Sequence, residues 1–465
     1  MHTTTRPRGA RLVAGFAAAA VGAFAAMGVI APASAAPNID PDLTGSITVH
    51  MFEQPATTGT PSDGRPLPST SGLTPLEGVT FNAQRVTSID LSSNTGWTTA
   101  SGLTASDVIA DSVAYPLAAG TPDTTDSAGV ATFTGLEIGV YLVQPTAVGG
   151  NEVALPTQPF LVSVPTPIEG DEWLYDVHVY PKASLTDITM SLDDEDAYEL
   201  GDDITWTIDV LVPRQSEGDT ISSFIVTDQL DATRLDLQST TVTLGTTTLV
   251  LGTHYSLTEV DGLVTITFLP AGLTLLNASG GQTLEIALVT TVTALGDGTI
   301  ENSANLYVND TAFAAPFPSD TEISYWGAAV IVKHALGDEA ALLDGAVFEL
   351  RNSAGTVLET ITVDGTYTIP GLRTTPAREV YTLTEIEAPT GYVLDATPRS
   401  FAVIAGPVAS AVELQIANAQ APAFELPVTG GAGQTAFLIG GGALLAVALG
   451  ALLVQVGRRR TAKQD

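Results

Sequence analysis

The sequence consists largely of short runs in which apolar and polar residues alternate. Typical runs are residues 45–52, 204–210 and 263–268, which are rich in Thr, Val and Ile and are followed by Gly, Pro, Asn or Asp. Alternation with period two is typical of half-buried β-strands. Helical periodicity is nearly absent, apart from a short helix or loop predicted around residues 103–115. Many short strands with frequent turns predict an all-β fold of Ig-like β-sandwiches.

The strand pattern is interrupted at two places, near residues 181–185 and near residues 316–321. Each interruption contains proline, which is disfavoured inside a sheet. We therefore predict three tandem sandwiches, an N-terminal domain at 37–182, a middle domain at 183–322 and a C-terminal domain at 323–422.

The two ends of the chain have the composition of export signals. Residues 1–36 contain three arginines, no acid, a long apolar run and Ala-Ser-Ala at 33–35, a pattern that predicts a cleaved signal peptide. Residues 436–456 carry no charge and are long enough for a transmembrane helix. Basic residues follow at 458–460, which predicts a cytoplasmic C-terminus.

Composition narrows the function classes. The 465 residues include 51 acidic and 17 basic side chains, for a formal net charge of -34, which disfavours a nucleic-acid partner. Cysteine is absent, so a disulfide, a cysteine nucleophile and a thiolate metal site are all excluded. The chain has only three lysines, which are Lys182, Lys333 and Lys463.

A five-residue motif precedes the predicted membrane span. Its residues are Leu426, Pro427, Val428, Thr429 and Gly430. Together with the span and the basic tail, the motif resembles the LPxTG sorting signal of Gram-positive cell-surface proteins. The resemblance implies that a sortase cysteine cleaves between Thr429 and Gly430 and holds the threonine carbonyl as a thioester that an amine can displace.

A second motif ends the first predicted domain. It resembles the pilin motif WxxxVxVYPK of sortase-assembled pilins at every fixed position, which are Trp173, Val177, Val179, Tyr180, Pro181 and Lys182. The resemblance implies that the Lys182 amine joins Thr429 of a neighbouring subunit. The alternation predicts that Trp173, Tyr175, Val177 and Val179 are buried, whereas Asp176, His178, Tyr180 and Lys182 lie on the other face.

Three polar residues of the third predicted domain lie on apolar faces. Lys333 shares its parity with Ala329 and Ile331, Glu385 with Tyr381 and Leu383, and Asn418 with Leu414 and Ile416. Buried polar groups are costly alone, so their convergence calls for a joint explanation. The segment around Glu385 resembles the E-box of Cna-B-type domains. That resemblance implies an internal isopeptide bond between Lys333 and Asn418, with Glu385 as the proton shuttle. A buried ion pair with an unreacted Asn418 is the alternative.

The first two domains depart from this pattern because they lack a second amine. In the middle domain, Asp228 and Asn302 resemble the remaining partners, but Met190 occupies the inward stripe where a lysine is expected. In the first domain, Met51 and Gln144 replace the lysine and the acid. We therefore predict no internal bond in either domain and an unreacted Asn302.

Other chemistry has little support. The five histidines are scattered without metal-ligand spacing, so we predict no metal and no cofactor. The acidic residues at 193–196 and 202–203 are dense enough for calcium, but they lack EF-hand spacing and favour a solvated turn. No conventional enzyme motif occurs in a suitable context, and the protein is expected to be a sortase substrate rather than an enzyme.

These resemblances together imply a secreted, cell-wall-anchored major (shaft) pilin that supports adhesion. Its expected partners are a pilin-specific sortase, a wall-anchoring sortase, identical pilin subunits in a covalent polymer, peptidoglycan and a host or bacterial receptor. A minor pilin or a monomeric wall-anchored adhesin is the first alternative. A surface enzyme is the second, although no catalytic constellation favours it.

Overall fold

The structure, a computed structural model, describes residues 39–57, 59, 62–169, 172–216, 218–423, 438–449 and 451. The predicted signal peptide at 1–36 and the LPxTG-like motif at 426–430 lie outside the described residues. Residues 438–449, within the predicted membrane span, are helical. Among the residues described, no helix is long and apolar enough to span a membrane.

The first part of the chain forms small sheets around one main core. Its sheets have the strand orders β11-β1-β5, β4-β3-β6-β8, β2-β12-β7 and β10-β9. The strands are β1 (Gly45–His50), β2 (Phe52–Glu53), β3 (Thr80–Arg85), β4 (Thr121–Thr124), β5 (Val130–Leu136), β6 (Gly139–Ala147), β7 (Val153–Leu155), β8 (Phe160–Val164), β9 (Thr166–Ile168), β10 (Glu172–Leu174), β11 (Asp176–Val179) and β12 (Lys182–Leu185). The main core contains Ile47, Phe81, Phe133 and Val177.

Two short helices are inserted between β3 and β4, and only the second lies within residues 103–115, where the sequence predicts a helix or loop. They are α1 (Asn94–Ser101) and α2 (Ala105–Ala110). Thr104 and Asp107 form a reciprocal capping box that starts the second helix. The helices cover a small satellite core that includes Leu91 and Leu142.

The middle part is a sandwich of two five-stranded sheets, with orders β13-β14-β20-β16-β17 and β18-β19-β15-β22-β23. Its elements are β13 (Ile188–Asp193), β14 (Asp203–Leu211), β15 (Phe224–Gln229), β16 (Leu235–Leu244), β17 (Thr247–Thr248), β18 (Tyr255–Val260), β19 (Leu263–Phe268), α3 (Pro270–Asn277), β20 (Thr283–Val292), β21 (Thr299–Asn302), β22 (Ala304–Val308) and β23 (Phe317–Pro318). Alternating residues of β14 are buried, as its sequence pattern predicts.

The third part is organised by one long strand. Its elements are β24 (Glu322–Ala335), β25 (Asp338–Leu342), β26 (Asp344–Arg351), β27 (Val357–Asp364), β28 (Thr366–Thr374), β29 (Val380–Glu387), β30 (Arg399–Ala402), a 3₁₀ turn (Val408–Ser410) and β31 (Val412–Asn418). The first half of β24 pairs with β21 of the middle part, and its second half pairs in parallel with β31. One strand therefore joins the middle and third parts.

The observed architecture confirms the predicted all-β, multidomain fold. The middle core contains Trp206, Ile286 and Leu306, and the third core contains Phe348 and Tyr381. The exact domain limits of 37–182, 183–322 and 323–422 stay predictions.

Candidate functional site

Lys333 is fully buried on the second half of β24. The parallel pairing of β24 with β31 places Lys333 beside Ile416, and Lys333 Nζ donates a hydrogen bond to the Ile416 carbonyl (3.2 Å). The side chain is 0% exposed, which is rare for lysine unless a partner is present. The alternation of β24 therefore carries this amine into the core as the sequence predicts.

Glu385 lies on β29 and faces the same space. Its Oε1 is 3.7 Å from Lys333 Nζ, and both side chains are almost completely buried. Its Oε2 accepts hydrogen bonds from Asn418 Nδ2 (2.8 Å) and from the Asp395 backbone amide (3.0 Å). The carboxyl group thus lies between the amine and the amide.

Asn418 completes the group from the end of β31. Its Nδ2 also donates to the Val393 carbonyl (2.6 Å), which fixes the orientation of the amide. Asn418 Oδ1 and Glu385 Oε1 are buried and have no hydrogen-bond partner among the described atoms. Two buried oxygens without a hydrogen bond at one site are rare in folded proteins, and they mark this cluster as a candidate functional site.

The surroundings of Lys333 favour its neutral form. Burial lowers the pKa of Lys333, although the negative charge of Glu385 opposes the shift. A neutral amine is the nucleophilic form, and the amide carbon of Asn418 is the electrophile that the site offers. The three residues that the sequence predicts to converge do meet in the structure; the bond between them stays a prediction.

Lys182 is half-buried at the start of β12. This strand pairs in parallel with β2, and Lys182 lies opposite Phe52. Lys182 Nζ donates to the Tyr180 carbonyl (3.3 Å), and the Lys182 carbonyl accepts from Thr157 Oγ1 (2.5 Å). Burial lowers the pKa of Lys182, which increases its neutral fraction at a given pH. Lys182 is therefore only half-buried, and a larger share of its amine is in the attacking, neutral form than in a solvated lysine.

The rest of the pilin-like motif follows the predicted alternation only in part. Val177 is buried, but Trp173, Tyr175 and Val179 are half-buried. On the other face, His178 and Tyr180 are also half-buried because aromatic rings from β1 and β2 cover them. A strand-by-strand pattern contains no information about such neighbours.

A close backbone approach explains one glycine beside the motif. The Ser46 amide donates to the Tyr175 carbonyl (2.9 Å), which begins the pairing of β1 with β11. A Cβ on Gly45 would lie 2.2 Å from that carbonyl oxygen, well inside van der Waals contact. Glycine at this position therefore allows the motif strand to dock.

The middle part holds the acid and the amide that the sequence singles out. Asn302 Nδ2 donates to Asp228 Oδ2 (3.0 Å), and both residues are buried. Burial raises the pKa of Asp228 to about 7, while the hydrogen bond from Asn302 opposes the shift. Met190 is buried in the same core. The absence of a bond at Asn302 stays a prediction.

The sequence predicts a solvated acidic turn at 193–196, and three of its four acids are exposed, but Asp194 is not. Asp194 is turned inward, where it lies 2.9 Å from the buried Arg373 and accepts from Ser324 Oγ (2.7 Å). In the part of the chain that the structure describes, no group of three His, Cys, Asp or Glu residues could hold a metal ion.

Sequence reasoning missed one group beside Lys182. His50 Nε2 and His178 Nδ1 form a hydrogen bond (2.9 Å), and the His50 ring stacks on Tyr180. The two histidines are 128 residues apart in the chain. The only sequence signal is that each histidine lies on the polar parity of its strand and precedes an aromatic residue, Phe52 or Tyr180, by two positions.

Comparison with known families gives three consecutive matches. Residues 45–184 match a Gram-positive pilin subunit D1 N-terminal domain, residues 190–317 match an Sgo0707 N2 domain, and residues 330–418 match a prealbumin-like fold domain. The chain is 29% identical to the type 2 fimbrial subunit of Actinomyces naeslundii, with 97% of each chain covered.

Two solved structures have a similar fold. The full-length major pilin SpaD from Corynebacterium diphtheriae has a TM-score of 0.71 at 24% identity, covering 83% of this chain and all of SpaD. The fimbrial protein FimP from Actinomyces oris has a TM-score of 0.53 at 26% identity, covering 83% of this chain and all of FimP.

The matched domains and the fimbrial relatives place this protein in the class of structural subunits of surface fimbriae. Over nearly its whole length the chain is similar to these fimbrial subunits, and its residues 45–184 match the N-terminal domain of Gram-positive pilin subunits.

Proposed function

We propose that this pilin is a major (shaft) subunit that a sortase polymerises through Lys182 and Thr429. The observation that carries the proposal is the half-buried Lys182 amine, held on the Tyr180 carbonyl at the end of a pilin-like motif. Burial lowers the pKa of Lys182, so the attacking form is more abundant than in a solvated lysine.

The proposed linking reaction is an acyl transfer. The sortase cysteine attacks the Thr429 carbonyl, Gly430 leaves as a free amine, and a thioester remains. The neutral Lys182 amine of another subunit then attacks the thioester carbonyl, loses a proton and displaces the cysteine as a thiol. Each subunit donates Thr429 and accepts at Lys182, so growth is head to tail and produces an open filament.

The third domain carries a second proposed reaction within one subunit. Lys333 Nζ attacks the side-chain carbonyl carbon of Asn418, and ammonia leaves with one proton from the amine. Glu385, whose Oε2 accepts from the amide and whose Oε1 faces the amine, moves the protons. The lowered pKa of Lys333 and the position of the buried carboxyl between the reactants support this role.

A final transfer to a peptidoglycan amine by the wall-anchoring sortase would attach the fibre to the cell. The exposed surface of the fibre would then present the adhesive site for a host or bacterial receptor.

The test is peptide mass spectrometry of wall extracts. We expect a Lys182–Thr429 cross-linked peptide and, on denaturing gels, a ladder of high-mass species. Lys182→Arg keeps the charge but cannot give a stable amide, so it should abolish both. Asp176→Asn, which changes an exposed and variable motif position, should leave both intact.

Two outcomes would overturn parts of the proposal. An unchanged ladder in Lys182→Arg would favour a minor pilin or a monomeric wall-anchored adhesin. The same spectra should show the loss of one ammonia per subunit, about 17 Da for an amine that displaces an amide nitrogen. The loss of none or of two would contradict a single internal bond.

A further inference from the structure

Two half-buried histidines lie next to the Lys182 site. His50 is the last residue of β1, and His178 lies on β11. The two strands pair in parallel, with Thr48 of β1 opposite His178. Their rings are joined by the hydrogen bond between His50 Nε2 and His178 Nδ1 (2.9 Å) and lie 5.2 Å apart at 23°. The pair is therefore fixed in orientation by two strands that are distant in sequence.

The histidine pair supports the ring of Tyr180. The His50 ring stacks on Tyr180 with a centroid separation of 4.7 Å and an angle of 9°, and Phe52 is nearly parallel to Tyr180 at 6.4 Å. Tyr180 Oη accepts a hydrogen bond from the Leu67 amide (2.7 Å). Stacking fixes the plane of the ring, and the hydrogen bond fixes its tip.

Tyr180 in turn holds the Lys182 amine. Its carbonyl accepts from Lys182 Nζ (3.3 Å), and the next carbonyl, that of Pro181, accepts from the Phe52 amide (3.2 Å). The backbone that carries the amine is thus attached to the same strand as one of the stacking rings. The stacked ring and the carbonyl that anchors Lys182 Nζ belong to the same residue, so contacts that hold the ring restrain the backbone that presents this carbonyl.

Burial favours neutral rings in this pair, although two nearby carboxylates oppose it. Burial lowers the pKa of His50, with a further contribution from His178, while Asp126 opposes the shift. Burial also lowers the pKa of His178, although the negative charge of Asp176 opposes this shift. Glu53 on β2 is paired with Arg214 (3.6 Å). The His178 backbone amide donates to the Gly64 carbonyl, and in the same loop Asp63 forms an ion pair with Arg65 (3.1 Å). Neutral rings can stack closely and add no positive charge beside the amine.

We propose that His50 is a positioning residue for Lys182: by stacking on Tyr180 it holds the carbonyl that anchors the lysine amine in its half-buried position. The role in polymerisation rests on the proposed function, in which Lys182 is the acceptor. The positioning itself can be measured without a sortase, because it changes the environment of one amine.

The first experiment measures the reactivity of Lys182 in the full chain. Acetic anhydride is applied in pulses over a range of pH, and modification of Lys182 is followed by peptide mass spectrometry against an added lysine peptide. The wild-type midpoint should lie below the ordinary lysine value of 10.5. His50→Ala should move the midpoint towards that value, because the amine is released into water. His50→Phe keeps a flat ring and should retain the wild-type midpoint.

The second experiment measures the fraction of subunits with a Lys182–Thr429 cross-link in cells. We expect a several-fold loss in His50→Ala and recovery in His50→Phe. His254→Ala is the matched control, since this half-buried histidine lies in the middle part and its Nδ1 accepts a hydrogen bond from the nearby Val250 backbone amide (2.8 Å). Circular dichroism confirms that each variant is folded.

The outcomes separate the two proposals. A wild-type midpoint and cross-link yield in folded His50→Ala would overturn the positioning role. A His50→Phe midpoint equal to that of His50→Ala would overturn stacking as its cause. Absence of the cross-link from wild-type fibres would instead overturn the proposed function, while the acetylation midpoints still test His50.

Discussion

At the scale of single residues, the two oxygens of Glu385 have different surroundings. Oε2 accepts two hydrogen bonds, whereas Oε1 is buried without a hydrogen-bond partner and faces Lys333 Nζ at 3.7 Å. This asymmetry suits a group that takes a proton from the amine and delivers it to the leaving nitrogen. Glutamine keeps the shape but cannot carry the proton.

We therefore expect Glu385→Gln to block the internal bond. The intact mass of the variant should be greater than that of the reacted wild type by about 17 Da, the ammonia that is not lost, apart from the small change due to the substitution. Loss of the cross-link should lower the free energy of unfolding by about 2–5 kcal/mol, the range seen for disulfides. Mass spectrometry and thermal unfolding measure both effects. Glu387→Gln, an exposed position two residues away, should react fully; an equal defect there would contradict the assignment.

Asp228 predicts a pH dependence for the middle part. Its folded pKa is raised from 3.8 to about 7, so the folded state binds the proton more tightly than the unfolded state. Stability from this group is fully present below pH 3.8 and is lost as pH rises to about 7. The loss is on the order of 4 kcal/mol at 1.36 kcal/mol per pKa unit.

Chemical denaturation between pH 4 and pH 8 measures this slope. Asp228→Asn removes the titrating proton but keeps a polar group of the same size, so its stability should depend less steeply on pH across that window. A slope equal to that of the wild type would mean that Asp228 is already ionised in the fold.

At the scale of the elements, alternation predicts which face a residue occupies but not what it meets there. For β24 and β31 it predicts that Lys333 and Asn418 point inward, and both do. The helix α3 is not predicted, because its eight residues are too short for a clear period. The His50–His178 pair and the inward turn of Asp194 depend on contacts between distant segments, about which local pattern contains no information.

The ion pair between Asp194 and Arg373 joins the middle part to β28 of the third. Their side chains are 15% and 7% exposed, and Glu379 lies 3.6 Å from the same guanidinium. When one partner of a buried ion pair is removed, the other charge stays buried without compensation, which destabilises the fold. We expect Asp194→Ala to cost about 3 kcal/mol, the lower end of that class, because Glu379 remains.

Chemical denaturation of the full chain measures this cost. Asp196→Ala, an exposed acid in the same run, should change stability by less than about 0.5 kcal/mol, as is usual for surface sites. Equal effects of the two substitutions would mean that the run acts only through its total charge.

At the scale of the whole molecule, the three parts are joined end to end by polar contacts as well as by the chain. Arg214 lies 3.6 Å from Glu53, and Ser216 Oγ donates to Gln54 Oε1 (2.9 Å), across the first junction. Strand β24 and the Asp194–Arg373 pair cross the second. The lysine positions add a predicted asymmetry, because the pilin-like motif claims Lys182 and only Lys333 is left for an internal cross-link.

This asymmetry predicts the order in which the molecule fails on heating. We predict no covalent cross-link in the first and middle domains, whereas the proposed Lys333–Asn418 bond restricts the unfolded state of the third. Limited thermolysin digestion of the full chain at rising temperature, with mass spectrometry of the fragments, should leave a core close to residues 323–422 when the others have been cleaved. In Glu385→Gln that core should lose its advantage and disappear with the rest. If a fragment of the first domain survived to higher temperature than the fragment of the third domain, the single internal bond would not set the order of stability.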